Sequence, residues 1–221
     1  MSMKKHLFIS IILLSNTLAF AQYELKGVMG IYFTSIPSMQ DYINQSGLSS
    51  NNQLSSFVSS VMFAGEFGIF ISPSFETTLE MAYQLYSYTN GSPDGQYDLT
   101  FSNLMPTVFA YYVIAGTGYN FKFGGGLGPR FVNVDESLPA TGFTTTYNSV
   151  GYGFVGRIEG NTLLGSSIYA NIGADIRYDV NGEPENNGTP LRNNLQNENV
   201  NFNAFSVGVR LGITYIIGGN D

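Results

Sequence analysis

The sequence has no cysteine and no tryptophan, and its single histidine is His6, near the amino end. Past that end the chain offers no disulfide, no thiol nucleophile and no imidazole base. His-dependent acyl transfer and lipid modification are therefore excluded. Charge is scarce as well: Asp, Glu, Lys and Arg make up 11% of the residues, against about 25% in an ordinary soluble domain. No run of about 18 apolar residues exists that would carry the chain across a bilayer as a helix. Basic residues are the rarer charge, 9 Lys and Arg against 16 Asp and Glu, which argues against nucleic acid as a partner.

The amino end has a pattern of its own. Lys4, Lys5 and His6 precede an apolar run from Leu7 to Leu14, and Ala19-Phe20-Ala21 supplies a small-x-small cleavage motif. Residues 1–21 read as a secretory signal peptide cleaved before Gln22. With no Cys after that point, a lipoprotein anchor is not expected. Residues 22–221 then form one domain by length, in which 7 basic residues face 16 acidic ones, a net charge of about −9.

In place of charge the chain has 26 Gly and 14% aromatic residues, set in segments that alternate apolar and polar at period two. Residues 203–217 show this best. Phe205, Val207, Val209, Leu211, Ile213, Tyr215 and Ile217 lie on one face, and Ala204, Ser206, Gly208, Arg210, Gly212 and Thr214 on the other. Six further segments repeat the pattern, and every charged residue within them falls opposite the apolar face. The inward set is Glu24, Lys26, Glu66, Glu76, Glu80, Lys122, Arg130, Arg157, Glu159, Asp175, Arg177, Asp179 and Arg210. Phe205 and Tyr215 bracket their apolar run at a separation of roughly 25 Å along a tilted strand, the height of a lipid-facing band. Together with Tyr119, Phe131 and Tyr178 they suggest aromatic girdles. Such faces predict an all-β fold: an eight-stranded antiparallel up-and-down transmembrane β-barrel with charges in the lumen and lipid outside.

Residues 97–114 alternate poorly around Asn103 to Pro106, which predicts a β-bulge there. Pro106 and Pro129 each remove a ladder donor and predict bulges or strand ends. Connections alternate in length. Residues 72–74, 115–118 and 160–166 read as short turns; 35–61, 90–96, 135–147 and 181–201 read as long loops. Short turns and both termini would be periplasmic, long loops extracellular. Leu54, Phe57, Val58 and Val61 recur at helical spacing, which fits either a short helix at the barrel mouth or an irregular lead-in to a strand. Residues 35–61 and 181–201, rich in Asn, Ser and Gly, are expected to be the most exposed and mobile parts.

This pattern resembles the eight-stranded outer-membrane barrels of the OmpA, OmpX and OmpW kind, and most of all the outer membrane protein β-barrel domain common in Bacteroidetes. The resemblance rests on the signal ending Ala19-Phe20-Ala21-Gln22, the strand from Phe121 through Gly124-Gly-Gly to Arg130, and the closing strand Phe205 to Tyr215. It implies a Gram-negative outer membrane, contact with its lipid, insertion by the barrel-assembly machinery, and no cofactor. It also implies a non-enzymatic structural or surface-interaction protein acting through extracellular loops on an external ligand or protein. A narrow pore or carrier is the second possibility, and a soluble lipocalin-like binder the third. The third would need an apolar interior and a charged exterior. One departure from the family is that Gly218-Gly-Asn-Asp221 follow the last strand, where an aromatic residue is usual.

Three sets of candidate residues have simpler explanations. Gly124 to Gly128 lacks the Lys and following helix of a phosphate loop and is better read as clearing lumen space. Asp175 and Asp179 could form a carboxylate pair but fit lumen ion pairs better. The loop acids Asp94, Asp135, Glu136, Glu183, Glu185 and Glu198 lack the spacing of a calcium loop. In the lumen, Arg210 is expected to meet Glu66 or Glu80 at mid-depth.

Overall fold

A computed structural model describes residues 22–45, 53–92, 95–139 and 143–218; the signal segment and Asp94 lie outside them. Eight long antiparallel strands form the wall: β1 (Tyr23–Ser35), β2 (Val58–Ser72), β3 (Phe75–Ser92), β4 (Gly95–Gly116), β5 (Tyr119–Ser137), β6 (Thr144–Gly165), β7 (Ile168–Val180) and β8 (Ala204–Ile217). Each pairs with its sequence neighbour, and β1 pairs with β8, so the sheet closes on itself and leaves no edge in the shared height of the wall. Closure matters because an unpaired backbone amide in hydrocarbon costs several kcal/mol.

The faces follow the period-two pattern. Leu25, Met29, Phe67, Leu79, Phe121, Ile172 and Val209 point outward and are exposed, while the charged residues of the same strands at membrane height are buried. An apolar exterior over a charged interior is the reverse of what a soluble lipocalin-like barrel requires.

Strand β4 corrects one expectation. Its register against β3 runs unbroken from Gly95 to Tyr112, Pro106 facing Met81, with no bulge. Alternation was hidden because both of its faces are apolar: Leu99, Phe101, Met105, Phe109 and Val113 inside, Leu104, Val108, Tyr112 and Ile114 outside. Pro106 and Pro129 are neither bulges nor strand ends. The pairs Leu104↔Phe131 and Val108↔Leu127 share one register, which sets the two prolines opposite each other. Their missing donors thus fall in one short interruption of the β4–β5 ladder. Register shifts do occur beside two of the turns, between Phe70 and Ser72 and between Leu163 and Gly165.

The connections correct three more. At the end holding both described termini the turns are Pro73-Ser74, Thr117-Gly118 and Ser166-Ser167, so β6 runs on through Leu163 where a turn was expected. At the other end, 90–96 and 135–147 are mostly strand. Strand β3 continues seven residues past its last pairing with β2, Val61↔Leu85, and stays paired with β4 out to Ser92↔Gly95. Strands β5 and β6 likewise pair out to Ser137↔Thr144. Half of the wall, β3 to β6, therefore projects roughly 20 Å along the strands beyond the rest. The single helix among the described residues is α1 (Pro37–Gln45). Residues 54–57 are an irregular lead-in, and β2 starts at Val58. Proline at the first helical position, with Ile36, Met39 and Ile43 on one face, accounts for the helix.

Parts of the two longest connections are packed, residues 46–52 lying outside the described ones. Ile36, Met39, Ile43, Leu54, Val58, Leu191, Val200 and Phe202 are buried with Tyr97, Leu99, Phe101, Val132 and Val134 of the projecting wall in one apolar core. Two-residue ladders, Glu185–Asn186 with Thr189–Pro190 and Arg192–Asn193 with Glu198–Asn199, brace the segment before β8. The exposure expected of 181–201 holds for 187–189 and 194–199, whereas the few scattered apolar residues find partners on the wall.

Candidate functional site

The lumen is filled in layers. Nearest the short turns, Asn161 donates to Asn120 Oδ1 at 2.7 Å, and Asn171 and Thr214 both donate to Asn161 Oδ1. Above this ring, Lys122 Nζ lies 2.6 Å from both Glu24 and Glu76, and Lys26 reaches Glu24, Glu66 and Glu159.

The central layer is set by a conflict in the register. Glu66 on β2 stands directly opposite Glu80 on β3, and like charges directly opposite one another destabilise a sheet. Two guanidinium groups resolve it. Arg157 places Nη1 2.9 Å from Glu66 and Nη2 2.7 Å from Glu80. Arg210 spans the same pair, with Nη1 2.8 Å from Glu80 and Nη2 on Glu66. Arg157 also donates from Nε to Asp175, which accepts from Arg177 at 2.8 Å and from the Tyr32 hydroxyl at 2.6 Å. The Arg157 guanidinium lies 4.1 Å from the centre of the Phe109 ring, and that of Arg177 lies over Tyr32. Arg210 has room because its neighbours on both sides are glycines, Gly30 on β1 and Gly173 on β7.

Higher up, Arg130 pairs with Asp179 and donates from Nη1 to Thr107 Oγ1, Gly128 O and Pro129 O at 3.0–3.3 Å. The side chain thus feeds donors to backbone carbonyls beside the Pro106–Pro129 interruption, where the prolines have none. Gln84 next donates to Ser60 at 2.6 Å and to Thr34 at 3.0 Å, and Ser206 donates to Thr34. The apolar core under α1 closes the top, and there the buried Glu136 accepts from Tyr42 at 2.7 Å and from Tyr97 at 3.0 Å. Burial and the Glu136 carboxylate push both phenols well above their usual range.

The sequence-derived inward residues are thus brought together in three sets: Glu24, Lys26, Glu76, Lys122 and Glu159; Glu66, Glu80, Arg157, Asp175, Arg177 and Arg210; and Arg130 with Asp179. Tyr32, Thr107 and Tyr111 join them without having been singled out, since an uncharged residue on the inward face carries no mark of its role. Tyr119 and Tyr215 are exposed near the short turns, and Phe131, Tyr178 and Phe205 are exposed toward the projecting end. Among the described residues the loop acids are not gathered: Asp135 accepts from Thr146, Glu136 from the two tyrosines and Glu183 from Asn199. Gly124 and Gly126 are spacers, for a Cβ at Gly126 would sit 2.6 Å from the Phe109 ring.

No family model matches this chain, and no curated protein matches it in sequence. Solved structures do share its ring. Ail, the attachment invasion locus protein of Yersinia pestis, solved with the heparin analogue sucrose octasulfate, aligns over 89% of this chain and 99% of its own, with a TM-score of 0.54 at 9% identity. Neisserial surface protein A aligns over 87% and 96%, with a TM-score of 0.50 at 11% identity. The fold is that of a small eight-stranded outer-membrane β-barrel. At such identities the likeness extends to the fold and no further.

Proposed function

We propose that this protein is a non-enzymatic integral outer-membrane barrel with a sealed lumen. Its short turns and termini would lie in the periplasm, and its work would be done at the cell surface by the projecting sheet and the cap of α1 and residues 181–203. The observation that carries this is the double closure. Arg130, Arg157, Arg177, Arg210, Lys26 and Lys122 are all buried against carboxylates in the lumen, and an apolar core sits over the mouth. A narrow pore would need a continuous path through both. A role on an external ligand also accords with the surface placement of the long connections, and Ail, which shares the fold, was solved with a sulfated sugar.

Planar-bilayer recording of the refolded chain tests the reading. Conductance should stay near zero, and it should remain so in Arg210→Ala because the cap is untouched. Stable open-channel steps in the unmodified protein would replace the scaffold with a pore.

A further inference from the structure

Above the lipid-facing band the outer face of β3 to β6 changes character along a sharp line. Tyr83, Leu104, Phe131 and Val150 form an aligned apolar row across the four strands. Beyond it the register stacks transverse rows of small hydrogen-bonding side chains. Ser102, Asn133 and Asn148 stand in one row beside Leu85; Ser87, Thr100, Asp135 and Thr146 form the next; Thr89, Asp98, Ser137 and Thr144 form the third. All are exposed or half-buried. Rows lie about 7 Å apart along the strands and their members about 5 Å apart across them.

We propose that this lattice is a glycan-contacting platform that takes the neutral sugar residues of glycolipid headgroups in the surrounding outer leaflet. The inference rests on the proposed orientation, with the projecting end at the cell surface. Three features support it. First, the platform continues, strand by strand, from the face that meets lipid, so the groups beside it are headgroups of the same leaflet. Second, its chemistry is hydroxyl, amide and carboxylate with no Lys or Arg among these positions. Such a face accepts from and donates to polyhydroxylated ligands and repels phosphate. Third, the groups are already ordered. Thr89 donates to Asp98 at 2.7 Å, Asn133 to Asn148 at 3.1 Å and Thr146 to Asp135 at 2.6 Å, while Ser137 and Thr144 share a bond at 2.7 Å. Little side-chain entropy is left to lose on binding, and hydroxyl lone pairs and carboxylate oxygens remain for the ligand. Hydrogen bonds from Gln96 and Thr89 hold the Asp98 carboxyl below its usual range, and its Oδ2, which takes only one of them, is left to accept a sugar hydroxyl. Tyr83 and Phe131 lie at the lower border, placed to stack on a sugar face.

The experiment uses the full mature chain in phospholipid nanodiscs of three kinds: phosphatidylethanolamine alone, the same with lactosylceramide, and the same with phosphatidylglycerol. Amide and side-chain NMR shifts are followed at residues 87–89, 98–102, 133–137 and 144–148. Lactosylceramide should shift these signals in a saturable way and phosphatidylglycerol should not. The triple variant Thr100→Val, Asn133→Leu, Thr146→Val keeps strand propensity and should weaken the response roughly tenfold, as expected for losing one or two useful hydrogen bonds. A heat-modifiable gel band checks its folding. Absence of shifts with lactosylceramide, equal shifts with phosphatidylglycerol, or an unaltered response in a folded variant would each overturn the platform. Orientation is tested separately. The chain has no native cysteine, so Thr144→Cys gives one thiol, which an impermeant maleimide should label on intact cells. Labelling only after the outer membrane is broken would sink the orientation and with it the outer-leaflet assignment, whatever the nanodiscs show.

Discussion

The lumen is closed twice, by opposite chemistries, and each suits its surroundings. The lower closure is ionic and lies inside the band wrapped by lipid, where a buried charge must find its partner within the protein. The upper closure is apolar and lies beyond that band, where water drives apolar groups together. Their construction differs as well. Every member of the ionic plug sits on a strand, fixed by register on a closed sheet. The cap takes half of its members from connections, Ile36, Met39, Ile43, Leu54, Leu191, Val200 and Phe202, which are held only by what they touch. The plug should therefore share the global stability of the barrel, and the cap should open locally at lower cost.

Breaking the plug should have the largest effect. Arg210→Ala removes one of the two guanidinium groups bridging Glu66 and Glu80, leaving Arg157 as the single bridge, with Lys26 on Glu66 and Arg177 on Glu80 as one-sided partners. Loss of one partner from a buried ionic network costs about 3–5 kcal/mol. Urea unfolding of the refolded barrel should show that loss as a lower midpoint, with the cap amides exchanging as before at zero urea. A midpoint equal to that of the unaltered protein would mean that the network contributes nothing.

The outer wall at the height of the plug gives the next largest effect. Val209 is 61% exposed on the outer face, one residue from the fully buried Arg210. The same guanidinium is thus required at one position and excluded at the next. Val209→Arg should cost about 2–4 kcal/mol in lipid, whereas Thr189→Arg, in the exposed ladder of the cap segment, should be within about 0.5 kcal/mol of neutral. Equal folding yields of the two variants in vesicles would overturn the assigned faces.

This asymmetry between faces is also why so much of the fold was legible. A charge is tolerated in only one direction, so one Arg or Glu per strand orients the whole of it. β4 carries no charge along its membrane-height part, and with apolar groups on both faces it gave no orientation. The cap was missed for a related reason. Ile36, Met39 and Ile43 stand alone in a polar stretch, Leu191, Val200 and Phe202 in another, and neither set is a hydrophobic cluster until the projecting wall brings them together. The spacing of Leu54 to Val61 suited a helix as well as a lead-in, and the lead-in is what forms: Phe57 and Val61 point outward while Leu54 and Val58 are buried. The extra length of β3 to β6 was read as loop because its outer face is Ser, Thr, Asn and Asp, residues that mark loops as readily as a wetted strand.

The smallest effect sharpens the comparison most, because it touches the cap alone. Tyr42 on α1 and Tyr97 on β4 both donate to Glu136 on β5, tying the helix to the wall. Burial first, then the Glu136 carboxylate, raises the Tyr42 phenol above its usual value, which is near 10 in an unfolded chain. A raised value means that the closed cap holds its proton where the open one has released it. The contribution is thus fully present below about pH 10 and is lost as the pH climbs above that toward the closed-state value. Tyr42→Phe removes one hydrogen bond to a carboxylate that keeps its second donor, a cost of about 1 kcal/mol, and should raise exchange at α1 amides roughly fivefold at neutral pH. Above pH 10 the native cap should loosen faster than the Tyr42→Phe cap, so the two should converge. Exchange at the β1–β8 ladder should be unchanged in both. If that ladder loosened together with α1, cap and plug would be a single cooperative unit.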